Sequence, residues 1–409
     1  MADGLRIPIT NIYGQGDYTA QIKVGSSRVA ANVILDTGSS TLAIDSNVYD
    51  PGADATMTPT KLAQDIIYET GGWTGPVVTA SIVIGTGAEA VSTNANLAMA
   101  VDNEPGDFNK ADGIMGLAFN YLNSAYDLSA YITEQAINPP WSYPWPFRLR
   151  DSSAALRQFA DFLGRLPQQD LTPYFTALEG QGVERNIFAF YTLRSAVTQR
   201  TANPASDPLN NGYFILGGGV EQTDLYTGDF IDVQVVDDYW YNTNLTAVQV
   251  AGCPQENVTP LAEKYAKTNK SNSIIDSGTN SLNLTSEVYR AILSSLQQVN
   301  PAFTQIVQQA QKQPVPSEGL DLSQWPDITF TLTGTNGGQV ALTCAPSTYW
   351  QLDSPAAGQA VFQILNSNGV QSILGLPLLN NYFTVFDRTQ NPYGIVRFGT
   401  IVPPPSPPQ

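Results

Sequence analysis

The sequence predicts a mostly β protein made of two related lobes with a deep cleft between them. Apolar and polar residues alternate in segments such as Tyr18–Val24, Thr79–Ile84 and Asp327–Leu332, which are rich in β-branched and aromatic residues. This two-residue period is typical of strands with one buried face. Clusters of Gly, Pro, Asn and Asp separate the segments at short intervals, as in antiparallel folds with many strands. An internal repeat is the third observation, and it predicts two lobes of the same plan.

One ten-residue pattern occurs twice in the chain. Val33–Leu42 (VILDTGSSTL) recurs as Ser273–Leu282 (SIIDSGTNSL), and the aspartates within the two copies are 240 residues apart. A second echo pairs Ala111–Leu117 with Gln371–Leu376. We therefore expect one set of motifs in each of two lobes. The predicted domains are an N-terminal lobe (1–222), a C-terminal lobe (223–400) and a Pro-rich tail (401–409).

Few helices are expected. The residue pattern favours one over Ser153–Leu166 and another over Ser286–Gln298, with Ser286 as the N-cap of the second. Asn138–Phe147 contains four prolines and two tryptophans, which predicts a loop excursion. The polar segment Ser195–Asn211 predicts a long hairpin loop.

Composition excludes several kinds of catalysis. The chain has no histidine, so His-dependent triads and His-ligated metals are excluded. It has two cysteines, too few for a four-thiolate zinc site. We therefore expect no metal and no cofactor, and we expect carboxylates, a lysine or hydroxyls to carry any hydrolysis. Cys253 and Cys344 either pair or stay free, because a cysteine count does not fix pairing.

Charge and hydropathy restrict the partners and the location. The net charge is -17, with 36 acidic and 19 basic residues, and phosphate binding needs basic patches, so we expect no nucleic-acid partner. No run of 18 or more apolar residues occurs, which predicts no membrane span. Met1–Arg6 lacks the basic and apolar regions of a signal peptide. A cytoplasmic protein and one whose leader has been removed both remain open.

The repeated pattern places one carboxylate at the end of each of two strands. The glycine in each copy (Gly38 and Gly278) lets the backbone turn and approach another chain closely. Two carboxylates in contact cannot both ionise, because like charges raise the pKa of one of them. Such a pair can take a proton from water and polarise a carbonyl without histidine or metal. The pattern therefore predicts hydrolysis by a water activated between Asp36 and Asp276.

On these residues the sequence resembles the pepsin-like aspartic peptidases. Matching motifs follow in family order over most of residues 6–400. They are Asp36–Ser40, Tyr68–Gly75, Asp112–Ala118, Phe214–Gly218, Tyr226–Gly228, Asp276–Thr279, Trp325–Phe330, Ser372–Gly375 and Phe383–Arg388. The resemblance implies the bilobal pepsin-like fold and a pepstatin-sensitive aspartic endopeptidase that acts on extended polypeptides in acid. It further implies a monomer, with an extracytoplasmic location as the family default. If Met1 is the native start, the chain has no visible propeptide, and in this it is similar to the bacterial pepsin homologues.

Residue roles are carried over from this resemblance. Asp36 and Asp276 would form the catalytic dyad. The first hydroxyl after each Asp would brace the two loops against each other, and the second would donate to an outer carboxylate oxygen. The loop residues that support the dyad are Thr37, Gly38, Ser39, Ser277, Gly278 and Thr279.

Substrate contacts are implied in the same way. Tyr68 would lie on a flap hairpin and cap the S1 side, and Ile114 would line S1. Thr70 and Gly71 would offer backbone groups to an extended peptide, which pairs as a strand. Because Tyr68 and Ile114 are apolar or aromatic, we expect apolar side chains on both sides of the cut.

Two positions near the flap depart from the family pattern. The family usually has Trp seven residues after the first catalytic Asp, as the partner of the flap Tyr, and Ala43 stands there in this chain. Trp73 either compensates for that loss or is an exposed aromatic of the flap. Glu69 replaces the usual Gly after the flap Tyr and adds charge beside the cleft.

Two other functions compete with proteolysis. A pepsin-fold binding protein without catalysis typically has one Asp triplet or the flap broken, whereas both triplets and Tyr68 are intact here. A glycosidase also uses two carboxylates, but they lie farther apart and need no hydroxyl-Gly scaffold around each acid.

Overall fold

The structure is a computed structural model, and it describes residues 4–68, 71–103, 108–146, 161–179, 181, 183, 185–390 and 392–404. Strands far outnumber helical turns in these residues, which confirms the predicted mostly β class. None of the helices in the described ranges is long and apolar enough to cross a membrane.

The strands are numbered in chain order. The first thirteen are β1 (Leu5–Gly14), β2 (Asp17–Val24), β3 (Val29–Asp36), β4 (Leu42–Asp45), β5 (Thr58–Tyr68), β6 (Gly71–Ile84), β7 (Val91–Ala100), β8 (Asp102–Asn103), β9 (Gly113–Gly116), β10 (Ser124–Asp127), β11 (Gln168–Asp170), β12 (Ile187–Tyr191) and β13 (Asn211–Leu216). The others are β14 (Tyr226–Gln234), β15 (Asn242–Thr243), β16 (Leu245–Val250), β17 (Glu256–Asn257), β18 (Ser273–Ile275), β19 (Leu282–Thr285), β20 (Val315–Pro316), β21 (Ile328–Thr333), β22 (Gln339–Cys344), β23 (Trp350–Leu352), β24 (Gln359–Phe362), β25 (Ile364–Ser367), β26 (Ser372–Leu374), β27 (Tyr382–Asp387) and β28 (Ile395–Ile401).

Most helices are single turns between strands. They are α1 (Ser129–Glu134), α2 (Tyr174–Ala177), α3 (Ala266–Asn269), α4 (Ser286–Val299), α5 (Pro301–Ala310), α6 (Pro346–Tyr349) and α7 (Leu376–Leu379). The predicted helix over Ser286–Gln298 is α4, but its N-cap is Thr285, so Ser286 is already the first helical residue. Most of the predicted helix over Ser153–Leu166 lies outside the described residues.

The chain folds as two compact units. The first unit is Ala20–Glu184, and the second is Met1–Thr19 together with Arg185–Gln409. β12 and β13 belong to the second unit because they pair with each other, and because β13 pairs with β1 and β12 with β27. The lobe division after Gln222 stays a prediction of the sequence.

The first unit is built around one strand inserted between the two arms of a loop. β3 and β4 are joined by residues 37–41, and β9 lies between them, parallel to β3 and antiparallel to β4. β7 continues the sheet parallel to β4, and the long β5–β6 hairpin continues it beyond β7. The Asp36 loop therefore leaves the sheet from its buried middle.

The second unit repeats this plan in a separate five-stranded sheet. β18 and β19 are joined by residues 276–281, and β26 lies between them, parallel to β18 and antiparallel to β19. β25 continues the sheet parallel to β19, as β7 does beside β4. The internal repeat seen in the sequence is thus a repeat of strand topology.

Aromatic side chains pack together on the hydrogen-bonded strands β1, β13, β12, β27, β28 and β14 of the second unit. Phe188 of β12 stacks on Phe386 of β27 with ring centroids 4.9 Å apart, and Phe190 lies 5.2 Å from Phe214 of β13. All four side chains are buried.

Two of the loop predictions fall within described residues. The Ser195–Asn211 hairpin loop joins β12 to β13, and the buried carboxylate of Asp207 holds Arg200 through contacts of 2.5 and 2.8 Å. The Asn138–Phe147 excursion, described up to residue 146, is tied to β5 by a 2.9 Å hydrogen bond from Ser142 N to Thr60 O.

The two cysteines are buried free thiols. Cys344 Sγ lies 3.3 Å from Pro377 O, and Cys253 Sγ lies 3.5 Å from Ser295 O. Burial raises the pKa of Cys344 to about 12. This thiol therefore stays protonated at neutral and acidic pH. Of the two alternatives for the cysteines, the unpaired one is observed.

Asp54 is a buried carboxylate that organises the start of the first unit. Its oxygens accept hydrogen bonds from Tyr49 Oη at 2.6 Å, Ser26 N at 3.0 Å, Thr56 N at 2.9 Å and Thr56 Oγ1 at 2.8 Å. Burial disfavours the charged form, but these hydrogen bonds together hold the pKa of Asp54 well below its usual range. Because the pKa is lower in the folded state, the ionised group stabilises the fold above its unfolded pKa. That stability is lost progressively as the pH falls from the unfolded pKa through the folded pKa.

We expect Asp54→Asn to lower the free energy of unfolding by about 2 kcal/mol at pH 6, because hydrogen bonds to a charged group are lost. The difference from wild type should shrink below about pH 4, where the unfolded carboxyl protonates. Urea unfolding at several pH values measures this, with Asp229→Asn as the control for an exposed carboxylate. A pH-independent difference would contradict the assignment.

Candidate active site

The first loop holds the Asp36 carboxylate by two hydrogen bonds from its own residues. Asp36 is the last residue of β3, in register with Gly116 of β9. Gly38 N donates to Asp36 Oδ1 at 2.7 Å, and the Ser39 hydroxyl donates to Asp36 Oδ2. The residue is 7% exposed. A strand end fixes the backbone here, and the two donors fix the rotation of the carboxylate.

The second loop holds Asp276 in the same way. Asp276 directly follows β18, and its N–H donates to Leu374 O of β26 at 3.2 Å. Gly278 N donates to Asp276 Oδ1 at 2.9 Å, and Thr279 Oγ1 donates to Oδ2 at 2.7 Å. Asp276 is also 7% exposed. In both loops one carboxylate oxygen accepts a hydrogen bond from a backbone amide, and the other accepts one from a side-chain hydroxyl.

The remaining hydroxyls of the two motifs are buried inside their loops. Thr37 has no exposed surface and Ser277 has 1%. Neither side chain reaches solvent, so each hydroxyl serves a contact within the protein. Their predicted bracing of the two loops stays a prediction.

A glycine lies behind each loop because the backbones approach too closely for a side chain. A Cβ on Gly116 would lie 2.4 Å from both N and Cα of Ser40, and one on Gly375 would lie 2.3 Å from Thr279 O and Ser281 O. Leu117 N donates to Asp36 O at 2.7 Å across this contact. The apolar-apolar-Gly echo in the sequence marks these positions, although it did not reveal the reason for them.

The predicted flap is the end of the β5–β6 hairpin. The last described pair is Tyr68 with Gly71, preceded by Asp65 with Thr74. Thr70 lies outside the described residues, as does the Tyr68 side chain. The Thr74 hydroxyl donates to Asp65, while burial raises the pKa of Asp65 against the effect of that hydrogen bond.

These features agree with comparisons to known proteins. The profile of the family described as Eukaryotic aspartyl protease matches residues 17–138 and 165–397. The chain belongs to this family. Pepsin A of Sus scrofa is 24% identical over 406 residues, with 95% of this chain and 83% of the pepsin covered. Pepsin-2B of Gadus morhua is 24% identical over 399 residues, with 92% of this chain and 95% of that protein covered.

The predicted pepsin-like fold and aspartic-type endopeptidase activity are thereby confirmed. An acidic optimum and pepstatin sensitivity are typical of aspartyl proteases. The glycosidase alternative is wrong. In the described residues, no three side chains that commonly ligate metals come together in one group.

In this aspartyl protease, the proposed S1 residue belongs to a buried apolar cluster under the flap hairpin. Ile114 of β9 is in register with Ala43 of β4 and Ile34 of β3. Trp73 of β6 is in the same cluster and is 1% exposed. The alternative that Trp73 is an exposed flap aromatic is therefore wrong.

A buried polar network links β5 to Thr41 of the first Asp loop. Asn123 Oδ1 accepts hydrogen bonds from Thr41 Oγ1 at 3.1 Å and from Gln64 Nε2 at 2.9 Å. Gln64 also donates to Ser124 O at 3.1 Å, and Asn123 Nδ2 donates to Leu171 O at 3.2 Å. Sequence reasoning missed Gln64 and Asn123. The one available signal was a Gln at a buried position of an alternating strand.

We expect Gly116→Ala and Gly375→Ala to lower the free energy of unfolding by about 3 kcal/mol or more each, because the added Cβ overlaps rigid backbone atoms. Both variants should lose activity together with their fold. Urea unfolding and peptidase assays measure this. The control is Gly369→Ala, where the nearest atom is the flexible Ser367 Oγ at 2.9 Å. A Gly375→Ala protein as stable as this control would contradict the close approach.

We expect Asn123→Ala to lower the free energy of unfolding by about 2 kcal/mol, because the amide of Gln64 loses a buried acceptor. Asn94→Ala, at an exposed position of β7, is the control and should change stability by less than about 0.5 kcal/mol. Chemical unfolding of the purified variants measures both values. Equal stabilities of the two variants would show that the network is not needed.

Proposed function

We propose that Asp36 and Asp276 form the catalytic dyad of this protease and together activate the water that attacks the scissile peptide bond. One observation carries the proposal. Each carboxylate accepts one backbone amide and one hydroxyl hydrogen bond, in loops of the same motif and the same strand arrangement. Such loops hold a carboxylate in a fixed orientation, which catalysis by positioned groups requires.

The proposed reaction needs one ionised and one protonated carboxyl group. The ionised carboxylate takes a proton from the water while the water oxygen adds to the carbonyl carbon, and the protonated carboxyl donates to the carbonyl oxygen. The C–N bond of the tetrahedral intermediate then breaks as its nitrogen receives a proton. Aspartic proteases are the standard example of a carboxyl pair that shares one proton. Activity should therefore fall as rising pH removes that proton.

The supporting residues are proposed to keep the two carboxylates from rotating. Ser39 and Thr279 supply the hydroxyl donors, and Gly38 and Gly278 supply the amide donors. Charge-assisted hydrogen bonds of this kind are about twice as strong as neutral ones. In the same proposal, the buried hydroxyls of the motifs brace one loop against the other.

The substrate is proposed to be an extended peptide or protein segment. Thr70 and Gly71 would pair with its backbone as a strand, which gives affinity without demanding one sequence. Tyr68 and Ile114 would contact the side chain beside the cut, so apolar residues should be preferred there. We further propose that the enzyme acts as a monomer and binds no nucleic acid, since its net charge of -17 repels phosphate.

We expect Asp36→Asn and Asp276→Asn each to lower kcat/KM by at least about 10³-fold, as removal of a catalytic side chain does in other proteases. A quenched fluorescent peptide with apolar residues at the cut is assayed from strongly acidic to neutral pH, with and without pepstatin. Wild-type activity should be highest in acid and blocked by the inhibitor.

The control variant is Asp321→Asn, which removes an exposed carboxylate that caps a turn. It should keep wild-type kcat/KM, and circular dichroism should show that all variants are folded. Wild-type activity that still rises above neutral pH would contradict the shared proton. A folded wild type without activity at any pH would favour the binding-protein alternative.

A further inference from the structure

The base of the flap hairpin contains a large side chain packed beside very small ones. Trp73 of β6, 1% exposed, pairs with Ile66 of β5 across the hairpin. We call its surroundings the flap-base cluster. The buried members are Ile34, Ala43, Trp73, Val77, Ala98, Ala100, Phe108, Ile114, Ala125 and Leu171, with Leu62, Ile66 and Ala111 packed against them.

The cluster joins the hairpin to the sheet that carries the first catalytic loop. Trp73 and Val77 come from β6, while Leu62 and Ile66 come from β5. The other buried members come from β3, β4, β7, β9 and β10 and from two loop positions, and four of the buried members are alanines. A cluster of alanines leaves space that only a large side chain fills at protein packing density. Trp73 has the largest side chain of this cluster, so its indole is the group able to fill that space.

Among the alanines of the cluster, Ala43 is the nearest in sequence to the first Asp motif (Asp36–Ser40). It lies in register with Ile114 on one side and with Ala98 on the other, and it has no exposed surface. Ile114 is the residue proposed above to line S1. A side chain that fills the space beside Ala43 therefore also supports one wall of the proposed substrate pocket.

We propose that Trp73 is a positioning residue for peptide hydrolysis. Its ring holds the flap hairpin on the first catalytic sheet and fixes Ile114, and so sets the size of the side chain accepted beside the cut. Ala43 is its small partner, and the two positions form one pair of complementary volumes. The inference rests on the proposed roles of Asp36, Tyr68 and Ile114.

The indole N–H allows packing and hydrogen bonding to be separated. Trp73 Nε1 is buried and has no hydrogen-bond partner within the described part of the chain. Trp73→Phe keeps most of the ring and removes this donor, whereas Trp73→Ala removes both. If volume is what positions Ile114, the Phe variant lies nearer to wild type than the Ala variant does.

The test compares substrate preference, because a merely structural role would lower all rates alike. Two fluorogenic peptides differ only in Leu or Trp on the N-terminal side of the cut, and pepstatin titration gives the concentration of folded sites. We expect Trp73→Ala to raise the kcat/KM ratio of the Trp peptide to the Leu peptide at least tenfold, with a higher KM for the Leu peptide. Trp73→Phe should change this ratio less than threefold.

The exchange Ala43→Trp with Trp73→Ala returns an indole to the same space from the other side. This double variant should bring the ratio back to within threefold of wild type, while Ala43→Trp alone overfills the cluster and lowers Tm. Trp141→Leu, a half-buried tryptophan outside the cluster, is the control for loss of a tryptophan and should keep the wild-type ratio.

The outcomes separate this inference from the proposed function. Active wild type, inactive Asp276→Asn and an unchanged ratio in Trp73→Ala would overturn the role of Trp73 and leave the dyad intact. A ratio shifted in Trp73→Ala and not restored by the exchange would overturn the volume pairing. Inactive wild type would instead overturn the proposed function.

Discussion

The two Asp loops depend on a contact between two backbones that allows no side chain. β9 lies between β3 and β4, and β26 lies between β18 and β19. β9 ends at Gly116 and β26 is followed directly by Gly375, and a Cβ on either glycine would lie 2.3–2.4 Å from atoms of the loop. This contact lets an inserted strand bond to both arms of one loop. Within each loop fixed in this way, one backbone amide and one hydroxyl donate to the carboxylate.

The β5–β6 hairpin, which carries the predicted flap, continues the sheet formed by β3, β9, β4 and β7. Two different kinds of contact anchor this hairpin. Leu62 and Ile66 of β5 pack on the apolar cluster. Gln64, between them in sequence, donates to the buried Asn123 instead. Apolar packing has little directional preference, whereas the amide hydrogen bond specifies one register. Together they place the described end of the hairpin, Tyr68 with Gly71, at a fixed distance from the loop that holds Asp36.

The sequence predicted those parts of the protein that local patterns encode. The two Asp motifs and their echoes predicted the repeated loops, because glycine and hydroxyl residues at fixed spacing serve local geometry. The flap base was beyond such reasoning. Alternation along β6 does not say which face is buried when both faces carry apolar residues, so the burial of Trp73 stayed open. Gln64 and Asn123 are 59 residues apart, and no periodicity links them. The N-cap of α4 was misplaced by one residue because Thr285 and Ser286 are both good caps.

The two Asp loops hold their carboxylates by matching hydrogen bonds. Within its own loop, each of Asp36 and Asp276 accepts one hydrogen bond from a backbone amide and one from a hydroxyl, so the two loops orient their carboxylates in the same way. In a coupled pair the proton belongs to the pair, and its position follows the surroundings. The surroundings differ: the sheet of the Asp36 loop extends into the flap hairpin, while α4 packs against β19 in the Asp276 unit. Since the two loops are alike, we infer that any difference between the two proposed catalytic aspartates comes from the residues that each unit adds around its loop.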